Sequence, residues 1–403
     1  MKIQDYIHQN WDKTIKYQPK DKGTVIGLPY PYTSPCMTEQ FTTLFYWDTY
    51  FTNKGLLESG RIDLAKNNVK NFIFLINNFG LIPNNADRRI LTRSQPPFFG
   101  LMLKDVLEAE QDEDLKRVGY HALVKEMEFW ETKRKSTNGL NNYSSDIPSD
   151  DIELQKETVE FYNERTGGQK PLNFHSTLNV LAECESGWDY THRFYGKCNE
   201  YNPVCLNSIL WFSETYLAKL EQELGISDGK KWQEKAEKRK EVMLALLRAD
   251  DGLFYDYSYV DNQKSDILSC ASFYPYFVGM CKMNATEKDR LLNAFELRYG
   301  LQSTSDNYGQ GNYQWGKGTV WAPLQFIAVQ ALKNSGFEED GQRIADKYIA
   351  LIEKSFEKTG KLWEKYDGVI AQPAEVSEET VEMLGWTAGV YLSLRGSKTT
   401  EAI

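Results

Sequence analysis

Arg61–Gly80 reads RIDLAKNNVKNFIFLINNFG, and its apolar residues Ile62, Ala65, Val69, Phe72, Ile73, Ile76 and Phe79 recur at intervals of three and four. That spacing lays one apolar stripe along an α-helix, and Gly80 supplies the left-handed residue on which helices commonly stop. The same period returns in 206–224 (Leu206, Ile209, Leu210, Tyr216, Leu217, Leu220, Leu224), in 232–247 and in 342–356 (Ile344, Tyr348, Leu351, Ile352). Fainter helical patterns cover 42–58, 98–110, 114–133, 175–183, 265–280, 286–296, 319–333 and 377–394. Turns such as Leu224-Gly225-Ile226-Ser227-Asp228 and Ser335-Gly336-Phe337 are short enough to bring each helix back antiparallel to the one before. The pattern predicts an all-α chain whose helical hairpins close into one (α/α)6 barrel over 1–403, with 1–36 as an N-terminal extension packed on it. An open helical solenoid is the alternative, but no fixed repeat period is visible. Minor β content is expected in rim loops at 249–260 and 359–371. The polar segment 134–170 reads as an active-site lid or a surface excursion.

Composition narrows the function. Of 403 residues, 47 are basic and 57 acidic, a formal charge of −10 that argues against a field built for polyphosphate, so no nucleic-acid partner is expected. No apolar run reaches membrane-spanning length, and MKIQDYIHQNWDK lacks the continuous apolar core of a secretory signal. A cytoplasmic protein without a membrane partner follows as the expectation. Six cysteines without a C-x-x-C pair read as free thiols, and the histidines (His8, His121, His175, His192) have neither metal-ligand spacing nor a convincing Ser-His-Asp arrangement. No metal or cofactor is expected, and nothing in the pattern sets an oligomeric state. Carboxylates are left as the source of chemistry.

Aromatic residues make up 13% of the chain, and four segments set a tryptophan beside a carboxyl or amide group: Phe45-Tyr46-Trp47-Asp48, Glu185-Ser186-Gly187-Trp188-Asp189, Gln314-Trp315 with Trp321, and Trp363-Glu364-Lys365-Tyr366-Asp367. Taken singly, each reads as core packing; together they offer faces for a sugar ring and oxygens for its hydroxyls or its scissile bond. Glycoside hydrolysis needs one carboxyl kept protonated by a desolvated setting and a second able to activate water. Gly187 allows a tight turn that sets Asp189 beside a bulky indole, which makes Asp189 the best acid candidate.

These residues resemble a known family. Phe45-Tyr46-Trp47-Asp48-Thr49-Tyr50 is similar to the first signature of the trehalase family of glycoside hydrolases, and Gln314-Trp315 followed by Trp321-Ala322-Pro323 to its second. Ile82-Pro83-Asn84 leading to Arg93-Ser94-Gln95-Pro96-Pro97 resembles its substrate-binding stretch, Glu185–Asp189 the segment of its general acid, and Glu382-Met383-Leu384-Gly385-Trp386-Thr387 that of its general base. The resemblance runs in order from about residue 36 to 394. It implies an (α/α)6 barrel and an inverting mechanism, with Asp189 as acid and Glu382 as base. It also implies a sugar site drawn from Phe41, Tyr46, Trp47, Asp48, Asn84, Arg93, Gln95, Gly187, Gln314, Trp315, Glu364 and Trp386.

The chain departs from the family where it has Thr38-Glu39-Gln40-Phe41 in place of Gly-Gly-Arg-Phe and lacks a Pro-Arg-Pro-Glu-Ser stretch near Asp146–Asp150. By likeness, the missing groups would mostly face a second glucose. Trp315-Gly316-Lys317-Gly318-Thr319-Val320-Trp321 also resembles a segment of the related processing α-glucosidase and mannosylglycerate hydrolase family. The expected function is therefore an inverting glycoside hydrolase of a small α-glucoside. The alternatives are a glucosylglycerate or mannosylglycerate hydrolase, another α-glucosyl disaccharide hydrolase, or a non-catalytic carbohydrate-binding scaffold. A small carbohydrate is the expected partner in every case.

Overall fold

In the computed structural model, which describes residues 2–306, 311–374, 381–382 and 384–396, the 61–80 stretch forms a helix from Ile62 to Phe79. It ends at Gly80 with φ 76°, and the Gly80 N–H bonds back to the Ile76 carbonyl. Leu64, Ala65, Val69, Phe72, Ile73, Leu75 and Ile76 are buried along one side, each large side chain contributing roughly 1.5–3 kcal/mol of transfer free energy. Asn68 on the same side is satisfied internally, with Nδ2 on Thr33 Oγ1 and Asn53 Oδ1 and with Oδ1 taking the Thr33 N–H.

Among the described residues the α-helices run α1 (Ile3–Thr14), α2 (Tyr46–Glu58), α3 (Ile62–Phe79), α4 (Phe99–Ala109), α5 (Glu113–Lys133), α6 (Ile152–Thr166) and α7 (Phe174–Ser186). They continue as α8 (Val204–Glu223), α9 (Lys230–Leu246), α10 (Tyr274–Phe277), α11 (Ala285–Phe295), α12 (Ala322–Asn334), α13 (Glu338–Thr359) and α14 (Gly385–Gly396). α2 packs on α4, α4 on α8, α8 on α10, α10 on α12, α12 on α14, and α14 returns to α2. This closed inner ring, with α3, α5, α9 and α13 packed against it, is the expected (α/α)6 barrel. Closure is tightest at Gly55 and Gly389. A Cβ on Gly389 would stand 2.0 Å from the Phe51 carbonyl oxygen, and one on Gly55 2.5 Å from Gly389 Cα, so only glycine lets α2 and α14 meet backbone to backbone.

The expected minor β content is present at the rim. Tyr257–Ser258 pairs with Tyr201–Asn202 and with Gln263–Lys264, and Lys365–Asp367 pairs with Thr319–Trp321 and with Gln372–Pro373. Other local expectations change. The 1–36 segment contains α1, which packs on α14, and 134–170 contains α6, which packs on α7. In place of one helix over 265–280 there is a 3-10 turn at Cys270–Phe273 and the single-turn α10, because Pro275 supplies no N–H to continue a helix running through it. Residues 319–321 are strand instead of helix. Of the helix expected over 377–394, residues 377–380 and 383 lie outside the described residues. No helix of the described residues is long and apolar enough to cross a membrane.

Candidate active site

One cavity of ≈ 330 Å³ opens at the N-terminal ends of α2, α12 and α14. The first turn of α2 contributes Trp47 and Asp48 to its wall, and the connection from α3 to α4 contributes Asn84, Asn85, Arg93 and Gln95. Gln95 Oε1 takes the Trp47 N–H at 3.2 Å, tying this connection to the start of α2. Asn84 Nδ2 reaches the Cys184 carbonyl at 3.3 Å and ties it to α7.

α7 stops at Gly187, whose φ of 71° turns the chain so that Asp189 faces the cavity. A Cβ at this position would stand 2.8 Å from the Trp47 indole, so glycine is required both for the turn and for the approach of α7 to α2. Trp188 is fully buried between the Arg193 guanidinium, 4.6 Å from its ring, and Trp315, stacked at 5.1 Å and 17°. Trp315 stacks in turn on Trp321 at 3.8 Å and 6°. Arg193 is fixed by Asp256, which accepts from Nε and Nη2 at 2.7 Å each. The turn that carries Asp189 thus rests on a stack of three indoles.

Glu364 immediately precedes the strand Lys365–Asp367. Its N–H donates to the Val381 carbonyl at 2.9 Å, its carbonyl accepts from Trp386 Nε1 at 3.1 Å, and its Oε2 lies 2.9 Å from Lys365 Nζ. Burial, aided by the charge of Glu364, raises the Asp189 carboxyl to about 6 against the opposing pull of a backbone hydrogen bond and of Arg165 and Lys365. Burial also pushes Asp48 up to about 8, helped by Glu364 and Asp189. In this wall Asn85 Oδ1, Arg93 Nε and Trp315 Nε1 have no hydrogen-bond partner among the described residues, which leaves them available to a polar ligand. The volume lies near the lower end of the range of about 300–1,000 Å³ for small-molecule sites, which suits one or two sugar rings better than a polymer.

Of the residues expected at the site, Phe41, Trp47, Asp48, Asn84, Arg93, Gln95, Gly187, Asp189, Gln314, Trp315, Glu364 and Trp386 line this one cavity. Two do not. Tyr46 is fully buried behind the wall, its hydroxyl donating to Glu126 and accepting from the Phe99 N–H, so it supports α2 and does not face the ligand. Glu382 is likewise absent from the lining: its Oε2 lies 2.8 Å from Lys361 Nζ and its Oε1 accepts from Tyr6 of α1 at 3.5 Å. Glu382 instead pairs across a backbone bridge with Trp363, one residue before Glu364. Pro35, Phe45, Asn85, Cys184 and Trp321 line the cavity in addition. Phe45, Asn85, Cys184 and Trp321 lie in or beside the quoted motifs; Pro35 carries no signal in the sequence.

A sequence profile of the trehalase family matches residues 1–396. Among solved structures, the chain is similar to neutral trehalase from Saccharomyces cerevisiae, with 24% identity, a TM-score of 0.78, and coverage of 97% of this chain and 79% of that one. It is also similar to the GH63 mannosylglycerate hydrolase from Thermus thermophilus, with 15% identity, a TM-score of 0.68, and coverage of 98% and 100%. At these identities the two structures speak to the fold.

Proposed function

The chain belongs to the trehalase family of glycoside hydrolases, and from that membership we propose that it is an inverting α-glycosidase of small glycosides, with Asp189 as general acid and Glu364 as general base. The observation that carries this reading is that Glu364 lines the cavity of Asp189 while Glu382 is held outside it by Lys361. The base role expected of Glu382 therefore passes to Glu364.

In the reaction, Asp189 gives its proton to the glycosidic oxygen as the bond to the anomeric carbon breaks. Water bonds to that carbon from the opposite face and loses its proton to Glu364. Inversion places the two carboxyl groups about 6.5–9.5 Å apart, with the water between them. Asp48, Asn84, Arg93 and Gln95 bind the hydroxyls of the glycone, and Trp47, Trp315 and Trp386 supply its apolar walls. We place the protein in the cytoplasm, where its six cysteines, none in a disulfide, stay reduced.

Incubation with trehalose, glucosylglycerate, mannosylglycerate, kojibiose, nigerose and sucrose, followed by proton NMR, tests the reading. At least one α-glycoside is cleaved, and the β-anomer of its glycone is released first. From trehalose, whose leaving glucose keeps its α configuration, inversion gives α- and β-glucose in equal amounts; a glycone first released as the α-anomer contradicts inversion, and binding without hydrolysis of any of them favours the carbohydrate-binding scaffold.

A further inference from the structure

Gln314 links the two carboxyl groups of this reaction. Its Nε2 donates to Asp189 Oδ2 at 3.2 Å and to the Asp189 carbonyl at 3.0 Å. Its Oε1 accepts from Lys365 Nζ at 3.4 Å and from Arg165 of α6 at 3.5 Å. Lys365, whose side chain is 1% exposed, also pairs with Glu364. The Gln314 backbone is fixed as well, its N–H on the Tyr190 carbonyl and its carbonyl taking Trp321 Nε1, each at 3.1 Å. Among the described residues, Gln314 is the one other residue hydrogen-bonded to the Asp189 carboxyl.

A glutamine amide has two orientations, and its neighbours choose between them. Turned over, this amide would set its NH₂ against an ammonium and a guanidinium and its oxygen away from both. Lys365 and Arg165 therefore hold Oε1 on their side and the N–H on Oδ2. A protonated carboxyl has one hydrogen and two oxygens, and the oxygen facing a donor is the one that accepts. From this we infer that Gln314, locked by Lys365 and Arg165, is a positioning residue that keeps the acid's proton on Asp189 Oδ1, ready for the glycosidic oxygen, and that steadies through Oδ2 the carboxylate left after transfer. The inference rests on the reading of Asp189 as general acid. The charged and titratable groups in the field of Asp189 are Glu364, Arg165 and Lys365, and Asp48, Glu183, Cys184 and Tyr190 in turn feel its charge.

Gln314→Glu and Gln314→Met separate this role from packing when each is assayed on the best α-glycoside and on the matching α-glycosyl fluoride, whose leaving group needs no proton. In Gln314→Glu, two cations keep the new group ionised and it accepts the Asp189 proton on the wrong side. Its kcat/KM on the glycoside falls about 100-fold, the fluoride changes less than about fivefold, and the basic limb of the pH profile moves up. Gln314→Met, which removes the donor without misdirecting the proton, loses about tenfold on the glycoside alone. Arg165→Met, on a half-buried side chain of α6, loses about threefold in the same selective way and serves if the Gln314 variants fail to fold. Parallel losses on both substrates, or a Gln314→Glu enzyme with the wild-type rate on the glycoside, overturn the inference. Asp189→Asn tells the two levels apart. If it spares the fluoride while the other variants show no such selectivity, the inference alone fails; if it shows no selectivity itself, the acid assignment fails.

Discussion

Arg134 grips Glu185 directly behind the turn that carries Asp189, Nε to Oε2 at 2.8 Å and Nη2 to Oε1 at 3.1 Å, with both side chains sealed from solvent. The same carboxylate accepts the backbone N–H groups of Ser94 and Ser144 at 2.7 Å each, so one buried ion pair joins α7, the loop that carries Arg93 and Gln95, and the start of the 144 loop. Arg134→Met leaves that carboxylate without its cation in a dry interior and costs about 3–5 kcal/mol of unfolding free energy, measured by urea denaturation. An unchanged midpoint contradicts the role given to the pair.

Gly187→Ala tests the turn. The left-handed φ of 71° and the 2.8 Å approach to Trp47 both oppose a Cβ, so the variant loses about 1–3 kcal/mol in stability. Asp189 sits two residues on, so kcat drops at least tenfold even where the variant is fully folded. Wild-type kcat in a destabilised but folded variant counts against the placement of the acid by this turn.

The pH dependence has a definite sign. As the proposed general acid, Asp189 acts in its protonated form, and with its carboxyl raised to about 6, chiefly by burial, kcat/KM falls as pH rises through that value. Stability follows the same direction on a higher limb. Asp48, Glu126 and Glu183 are each pushed up to about 8 by burial, against about 4 in the unfolded chain. Groups with raised folded values contribute stability that is fully present below the unfolded value and lost as pH climbs through the folded one. The contribution of these groups to the urea midpoint therefore declines from about pH 4 to about pH 8 and levels off above it, and Glu126→Gln flattens part of the decline. A midpoint that rises over this range contradicts the burial of these acids.

Much of the barrel was legible because α3 and α13 bury one stripe each, and the 3.6-residue period survives in their apolar residues. It was lost where burial and polarity part company. α6 buries Gln155, Val159, Tyr162 and Thr166 while Ile152 and Phe161 face solvent at 68% and 56% exposure, so its apolar residues trace the wrong side. Its start was nevertheless written in Asp151, whose side chain caps the Leu154 N–H. At the site, residues on α2 and in the α3–α4 connection could be placed from the sequence, because they lie in the motifs that carry the family resemblance. The choice between Glu364 and Glu382 could not. Both lie near tryptophans on facing segments, and the Trp363–Glu382 bridge sends one side chain into the cavity and the other toward Lys361. Gln314, Lys365 and Arg165 come together from three distant parts of the chain, so no local spacing announces their contact.

The most direct measurement is kcat for Glu364→Gln and Glu382→Gln, side by side on the best α-glycoside, with thermal unfolding to show that both are folded. Glu364→Gln should lose about 10³-fold because the proton acceptor for water is gone, while Glu382→Gln, which gives up a partly exposed ion pair, should stay within about tenfold of wild type. The reverse order, with Glu382→Gln nearly inactive and Glu364→Gln close to wild type, would contradict the pairing of Asp189 with Glu364.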